Sequence, residues 1–327
     1  MINLAIVGAT GLVGNTFLKV LEEKDYIKID KFYVFASHKS EGQILSFRGK
    51  EYKVMELSEK NLKNKKIDFA LFSAGTKVSK DFAPYFKKLG IIVIDNSNAW
   101  RMQDDVPLVV PQVNPNDAFI NDKIISNPNC STIQCVLPLY ALHDKYILKS
   151  VHFCTMQSVS GSGIKGLKDL ENTKNGLPPE FYPYAIYNNC LPHIDVFLDN
   201  SYTKEEMKMV NETRKIMHLP NLPISATCVR VPVESCHSID IVAEFEKEFL
   251  MTEVLETLKN FPHIIVIDDV KNNIYPINTI AKDKNEVFVG RIRRDLANDK
   301  AIRLFVVADN IRKGAATNAI EILEEFL

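Results

Sequence analysis

The stretch Leu4-Ala5-Ile6-Val7-Gly8-Ala9-Thr10-Gly11-Leu12-Val13-Gly14 decides the fold of this chain. Four apolar residues read as a buried strand, and three glycines follow at GxxGxxG spacing. Residues 14–23 then carry Phe17, Leu18 and Leu21 on one helical face. Glycine lets the backbone turn tightly and approach a pyrophosphate, whose charge is favoured at the amino end of a helix. The alternative is a tight strand-to-helix turn with no ligand. The strand–turn–helix context favours the dinucleotide loop.

Outward from this loop, short apolar runs alternate with amphipathic ones. Strands are expected over 32–36, 69–72 and 91–94. A helix is expected over 79–89, with Phe82, Tyr85, Phe86 and Leu89 on one face and Gly90 as its stop. Strands alternating with helices predict an α/β domain on a doubly wound (Rossmann-type) parallel sheet. Beyond residue 127 the pattern changes. Strands over 151–159, 224–233, 239–245, 264–266, 287–293 and 302–308 have fewer helices between them, which predicts an α+β domain on a mixed or antiparallel sheet. Such a sheet commonly offers one face to a partner. Residues 310–327 read as a helix striped with Ala316, Ala319, Ile320 and Leu323. The expected division is a dinucleotide-binding domain over 1–127, completed by helix 310–327, and a catalytic and dimerisation domain over 128–309.

Composition excludes other classes. The 327 residues carry 40 basic and 41 acidic side chains, for a net charge of −1. No bulk field favours nucleic acid or an anionic membrane, so any bound anion is held by a few placed cations. The N-terminus has no basic region or small-residue cleavage site, and no uncharged run reaches the roughly 20 residues that cross a bilayer. The six cysteines at 130, 135, 154, 190, 228 and 236 form no CxxC pair and no Cys/His zinc spacing. A cytoplasmic protein with reduced thiols and no metal is expected.

The second strand ends Ala36-Ser37-His38-Lys39-Ser40, without the acid that reads the ribose 2′-hydroxyl of NAD. Hydroxyls and a cation accept a 2′-phosphate, so NADP is expected. The alternative is that Lys39 is a solvated loop charge.

The segment Asn127-Pro128-Asn129-Cys130-Ser131-Thr132-Ile133 is the most informative for chemistry. Pro128 breaks the incoming chain, Asn129 is a good N-cap, and Ile133, Val136, Leu137 and Tyr140 follow at helical spacing. Cys130 therefore falls in the first turn of a helix, where unbonded amides and the dipole favour a thiolate nucleophile. A buried, inert cysteine is the alternative, and Cys135 fits that description. Among seven histidines, His237 is the best candidate base. It follows a strand carrying Arg230, which is awkward inside a core unless paired.

With these residues in view, the sequence resembles the aspartate-β-semialdehyde dehydrogenases over nearly the whole chain. The matching stretches are 8–14, 95–99 leading to Arg101, 106–114, 127–134, 157–163, 205–208, 225–237 and 313–318. The resemblance implies an oxidoreductase of lysine, threonine and methionine biosynthesis. It would convert β-aspartyl phosphate and NADPH, reversibly, to aspartate semialdehyde, NADP and phosphate. It further implies that Cys130 forms a thioester, His237 acts as general acid/base and Gln157 orients the acyl group. Arg230 would hold the α-carboxylate and Glu205 the α-ammonium. Arg101 and Lys208 would hold phosphate, with Asn129 also in the substrate site. Coenzyme contacts would fall on Gly8, Thr10, Gly11, Leu12, Val13, Ser37, Lys39, Ser40, Ser73 and Asn318, with Ser160 and Gly161 on the nicotinamide side. A homodimer or homotetramer is implied.

Thr203-Lys204-Glu205-Glu206 also reads as a capping box, so a helix cap is the other reading of Glu205, as a surface ion pair is for Lys208. Three positions depart from the pattern. Lys39 stands where many relatives have arginine, and Cys236 and Ile239 flank His237-Ser238 where Ala or Gly and Glu are common. Cys236 places a thiol beside the base that is either oxidation-sensitive or, the favoured reading, inert. Two rivals compete. An N-acetyl-γ-glutamyl-phosphate reductase shares the fold and thioester chemistry but needs no acid facing its amide. A non-catalytic dinucleotide-binding relative would lack the set Cys130, Gln157, Arg230 and His237.

Overall fold

In the first unit of the fold, successive residues of one strand serve opposite layers. Leu4 and Ile6 pack with Phe17, Leu21, Ile320 and Leu323, while Ala5 and Val7 pack with Phe72, Ala83 and Phe86. That alternation is the period of a strand with both faces covered, the environment of a parallel sheet. The computed structural model describes residues 1–120 and 123–327. They divide into two units, Met1–Pro128 with Ala315–Leu327, and Asn129–Gly314.

The first unit runs β1 (Ile2–Val7), α1 (Leu12–Glu23), β2 (Ile29–Ala36), β3 (Ile44–Phe47), β4 (Lys50–Lys53), β5 (Met55–Glu56), α2 (Glu59–Leu62), β6 (Phe69–Phe72), α3 (Thr76–Lys88), β7 (Ile92–Asp95) and β8 (Ile124–Ser126). Its main sheet has the order β5-β2-β1-β6-β7-β8, parallel throughout. The chain turns between β1 and α1 at the glycine loop. The hairpin β3–β4 was not expected, because its strands are mostly exposed and bury one residue, Phe47, against Phe32.

The second unit runs α4 (Cys130–Tyr146), β9 (Leu148–Gln157), α5 (Ile164–Lys174), α6 (Lys204–Ile216), β10 (Ile224–Arg230), β11 (His237–Phe245), α7 (Met251–Asn260), β12 (Ile264–Val266), α8 (Asn278–Ala281), β13 (Val287–Arg294) and β14 (Ala301–Ala308). Its sheet has the order β10-β9-β11-β14-β13-β12 and is mixed, with β10–β9 and β12–β13 parallel and the remaining pairs antiparallel. Ile239, Ile241, Ala243 and Phe245 of β11 face the core, where α4 packs. Asp240, Val242 and Glu244 on the other face stay half-exposed.

One expected element is corrected. Residues 310–327 do not form a continuous α-helix: Arg312–Thr317 is a π-helical turn, and the α-helix is Asn318–Glu324. The wider turn brings Gly314 against Cys130, where a Cβ at 314 would lie 2.8 Å from the cysteine Cβ. Such turns recur at functional sites.

Candidate active site

The residues singled out by the sequence collect in two places, one in each unit. In the first unit Gly8 has φ +86, and a Cβ there would lie 2.8 Å from the Ser73 carbonyl carbon. At Gly14 a Cβ would lie 2.2 Å from the Gly8 carbonyl oxygen, so this turn admits only glycine at both positions. Helix α1 starts at Leu12 with no side-chain cap and no acidic residue in its first turn, which leaves its amides to an anion. Gly8, Thr10, Gly11, Ser37 and Ser73 line a cavity of about 370 Å³ beside this helix start. Leu12 and Val13 form the first turn, and Ser40 accepts a hydrogen bond from Thr10 at 3.2 Å. The cavity, turn and uncapped helix together fit a dinucleotide.

Lys39 and Asn318, like Leu12, Val13 and Ser40, are not among the residues that line this cavity. Lys39 is exposed. Asn318 is fully buried and braces the backbone, donating to Val109 O at 3.0 Å and Asn127 Oδ1 at 2.6 Å. Arg101, also buried, holds Asn127 O at 2.9 Å and Asn96 O at 2.8 Å, tying the segments after β7 and β8.

In the second unit Cys130 is the first residue of the 17-residue helix α4, as its sequence predicts. Asn129 caps that helix by accepting from the amides of Ser131 and Thr132, and its own amide donates to Glu212 at 2.6 Å. Burial pushes up the thiols of Cys135 and Cys228, and that of Cys236 to about 12. Cys236 is therefore an inert core residue packed with Phe288 and Val307, although it precedes His237.

Strand register builds the rest. Arg230, the last residue of β10, pairs with Gln157, the last of β9, which pairs with His237, the first of β11. Cross-strand partners project to the same face, so three residues far apart in sequence stand in one row at the strand ends. Gln157 donates to Glu205 Oε1 at 3.2 Å, and Asn129 Nδ2 donates to the same oxygen at 2.9 Å. Lys208, one turn along α6, donates to Glu205 at 3.0 Å and to Asp195 at 2.9 Å. Burial would raise the Glu205 carboxyl. The Lys208 charge and the bonds from Lys208, Asn129 and Gln157 overcome it and hold the acid at about 2. The capping carboxylate of α6 is Glu206, paired with Thr203, so Glu205 is not the cap.

His237 is fully buried. Its Nδ1 accepts from the Ser158 amide at 3.1 Å, with the Ser158 hydroxyl at the same distance. An amide can only donate, so Nδ1 is unprotonated and the neutral ring carries its proton on Nε2. Burial, then the Arg230 charge, lowers this imidazole to about 3. His237 Nε2 and Arg230 Nε are both buried without a hydrogen-bond partner among the described residues. A Cβ at Gly161 would lie 2.8 Å from Arg230 Nη1 and 3.3 Å from His237 Nε2, so glycine keeps the space before both groups open. Unpaired buried donors cost stability and point to an absent acceptor.

Several supporting residues were not singled out from the sequence. Ser158 orients the imidazole, and Asn310 accepts from Ser158 Oγ, Ser160 Oγ and the Cys236 amide. Gln134, one turn after Cys130, donates to the His237 carbonyl at 3.1 Å. Glu56 lines the nucleotide cavity. Asn310, Gln134 and Glu56 act through register or tertiary contact, so no local pattern marked them.

Comparison with known proteins agrees with this geometry. Residues 3–119 match the semialdehyde dehydrogenase NAD binding domain, and residues 139–313 the semialdehyde dehydrogenase dimerisation domain. The chain is 53% identical to the aspartate-semialdehyde dehydrogenase of Aquifex aeolicus over 98% of this chain and 96% of that one. It is 48% identical to that of Campylobacter jejuni, over 99% and 97%. The crystal structure of aspartate semialdehyde dehydrogenase II from Vibrio cholerae complexed with ASA superposes with a TM-score of 0.94 at 40% identity, covering 100% of this chain and 98% of that one. The chain belongs to the aspartate-semialdehyde dehydrogenase family.

Proposed function

We propose that this chain reduces β-aspartyl phosphate to aspartate semialdehyde and phosphate, reversibly, through a thioester on Cys130 with NADPH as reductant. The observation that carries the substrate assignment is the charge arrangement around Glu205 and Arg230. Glu205 and Asp195 set two carboxylates against the single ammonium of Lys208, which leaves one net negative charge. The buried guanidinium of Arg230 stands in the neighbouring strand row. A negative and a positive group together fit the ammonium and carboxylate of an α-amino acid. An N-acylated substrate would leave the negative charge without a partner.

The Cys130 sulfur attacks the acyl carbon, an oxyanion forms, and the carbon–oxygen bond to phosphate breaks to leave the thioester. Gln157 orients the acyl group from the middle of the row. His237 presents its Nε2 proton to the oxyanion, an acceptor that the buried donor otherwise lacks. Its Nδ1 is occupied by the Ser158 amide, so the ring serves as a neutral donor, and an imidazolium is disfavoured. Bound NADPH supplies the hydride that brings the thioester carbon to the aldehyde level. His237 donates again as that second oxyanion forms, and the carbon–sulfur bond then breaks to release product and thiolate. Lys208, a phosphate cation by resemblance, already shares its ammonium between two carboxylates, which weakens it in that role.

The half-exposed face of the second sheet, with Asp240, Val242 and Glu244, is assigned to a homodimer contact. Light scattering that returns a monomer would remove that assignment. The activity itself is tested by phosphate-dependent reduction of NADP with aspartate semialdehyde. Reduction that proceeds equally without phosphate, or none at all, would reject it.

A further inference from the structure

The segment that leads into α6 touches both charged poles of the candidate substrate site. Leu191 exchanges backbone hydrogen bonds with Arg230, its amide donating at 2.9 Å and its carbonyl accepting at 2.8 Å. Four residues on, the chain turns at Asp195, whose φ of +69 lies in the left-handed region that aspartate tolerates better than most side chains. The Lys204 amide then donates to the Val196 carbonyl at 2.8 Å, and Phe197 bridges to Thr203. These contacts lay the segment back along the start of α6. Both carboxylate oxygens of Asp195 are engaged there: Oδ1 accepts from the Val196 amide at 2.9 Å, and Oδ2 accepts from Lys208 at 2.9 Å. The side chain is 29% exposed, so solvent screens this ion pair only in part.

Lys208 also donates to Glu205 at 3.0 Å, so one ammonium is shared between two carboxylates in different surroundings. Glu205 is buried and is joined to the strand row through Gln157 and Asn129. A Lys208 that had Glu205 as its sole partner would match that carboxylate one to one and leave it little charge for a ligand's ammonium. We infer that Asp195 is a positioning residue for substrate specificity: it draws the Lys208 ammonium partly to itself and so leaves Glu205 able to select a substrate that carries an α-ammonium. It acts through Lys208. The expected worth is about tenfold in affinity, the scale of one partly screened charge at the distance of a neighbouring side chain. The inference deepens the substrate reading given above and rests on it.

The test compares the full-length wild type with Asp195→Asn, Asp195→Glu and Asp199→Asn in the phosphate-dependent reduction of NADP by aspartate semialdehyde. Succinate semialdehyde, which lacks only the amino group, serves as competing ligand. Asparagine tolerates the left-handed turn and keeps an acceptor for the Val196 amide, so Asp195→Asn removes the charge and retains the loop. Asp195→Asn is expected to raise KM for aspartate semialdehyde about tenfold with kcat within about threefold. The inhibition constant of succinate semialdehyde should stay level or fall, because that ligand offers Glu205 no ammonium. Asp195→Glu, which restores the charge, should recover most of the lost affinity. Asp199 is an exposed carboxylate of the same loop, and Asp199→Asn should shift KM by less than about twofold. An unchanged KM in Asp195→Asn, an equal rise in KM and in the succinate semialdehyde constant, or an equal shift in Asp199→Asn overturns the role of Asp195 while leaving the substrate reading intact. If the wild type shows no phosphate-dependent reduction, the substrate reading fails first and Asp195 falls with it.

Discussion

The nucleotide cavity of the first unit and the acyl-transfer cluster of the second are built from the same residue types in opposite ways. The cavity is shaped by backbone: glycines at 8 and 14, an uncapped helix, and strand ends held by amide–carbonyl bonds. His38 in its lining has a side chain 79% exposed, with Glu41 and Glu56 only loosely paired to it. The cluster is shaped by buried side chains. His237, Glu205, Gln157 and Arg230 are each fixed by at least one hydrogen bond, and the ionisation of His237 and Glu205 is displaced far from its ordinary range. Burial is what turns a histidine and a glutamate from adjustable charges into a chemical apparatus. Backbone suffices to bind a coenzyme that carries its own chemistry.

The largest effect that would sharpen this contrast comes from Cys130→Ala. Turnover should fall below about one part in a thousand, as when a sole covalent nucleophile is removed. The dissociation constant for NADPH should stay within about twofold, because the nucleotide cavity belongs to the other unit. Residual turnover near wild type would remove the nucleophile assignment. Next is His237→Ala, with an expected loss in kcat of about 10²- to 10³-fold, the usual worth of one hydrogen-bond donor to an oxyanion. His237→Asn, which retains an amide donor, should recover part of it. The kcat profile should show no limb between pH 5 and 8 that this substitution abolishes, since burial and Arg230 hold the ring at about 3. A limb near 6.5 lost in His237→Asn would break the tautomer argument.

Arg230→Lys should raise KM for the acyl substrate by at least about tenfold with a smaller change in kcat, because a point charge replaces a fork. An unchanged KM would take Arg230 out of carboxylate recognition. A smaller effect concerns acid stability. The His237 value is depressed from 6.5 to about 3, so the unfolded chain binds the extra proton and stability falls as pH drops below 6.5. Glu205 is depressed from 4.5 to about 2, so its contribution is complete above 4.5 and is lost as pH falls toward 2. Melting temperature against pH should therefore flatten below 4.5 in Glu205→Gln. A slope equal to wild type there would contradict the pairing. Smallest of all, His38→Ala should change unfolding free energy by less than ~0.5 kcal/mol, as expected for an exposed, loosely paired side chain.

The same contrast explains what was legible in the sequence. The glycine turn, the alternation of strands and helices, and Cys130 behind its Asn129 cap are local patterns, and each appears in the structure where the sequence puts it. The row Arg230–Gln157–His237 depends on the pairing of β10, β9 and β11, which no local pattern encodes. The resemblance to the family named those three residues, but not the Ser158 amide that fixes the imidazole. The hairpin β3–β4 was missed because its alternation is mostly polar, and the C-terminal helix was overextended because apolar spacing does not separate a π-helical turn from an α-helical one. Lys39 is expected at the coenzyme from its position in the chain, and in the structure it is exposed and is not among the residues that line the nucleotide cavity. Glu56 escaped because it arrives from a neighbouring strand.

The central claim, covalent acyl transfer to Cys130, is tested most directly by mixing the enzyme with β-aspartyl phosphate in the absence of coenzyme. The account predicts a burst approaching one phosphate per subunit and an aspartyl adduct that peptide mass analysis places on Cys130. No burst, or an adduct on any other residue, would contradict it.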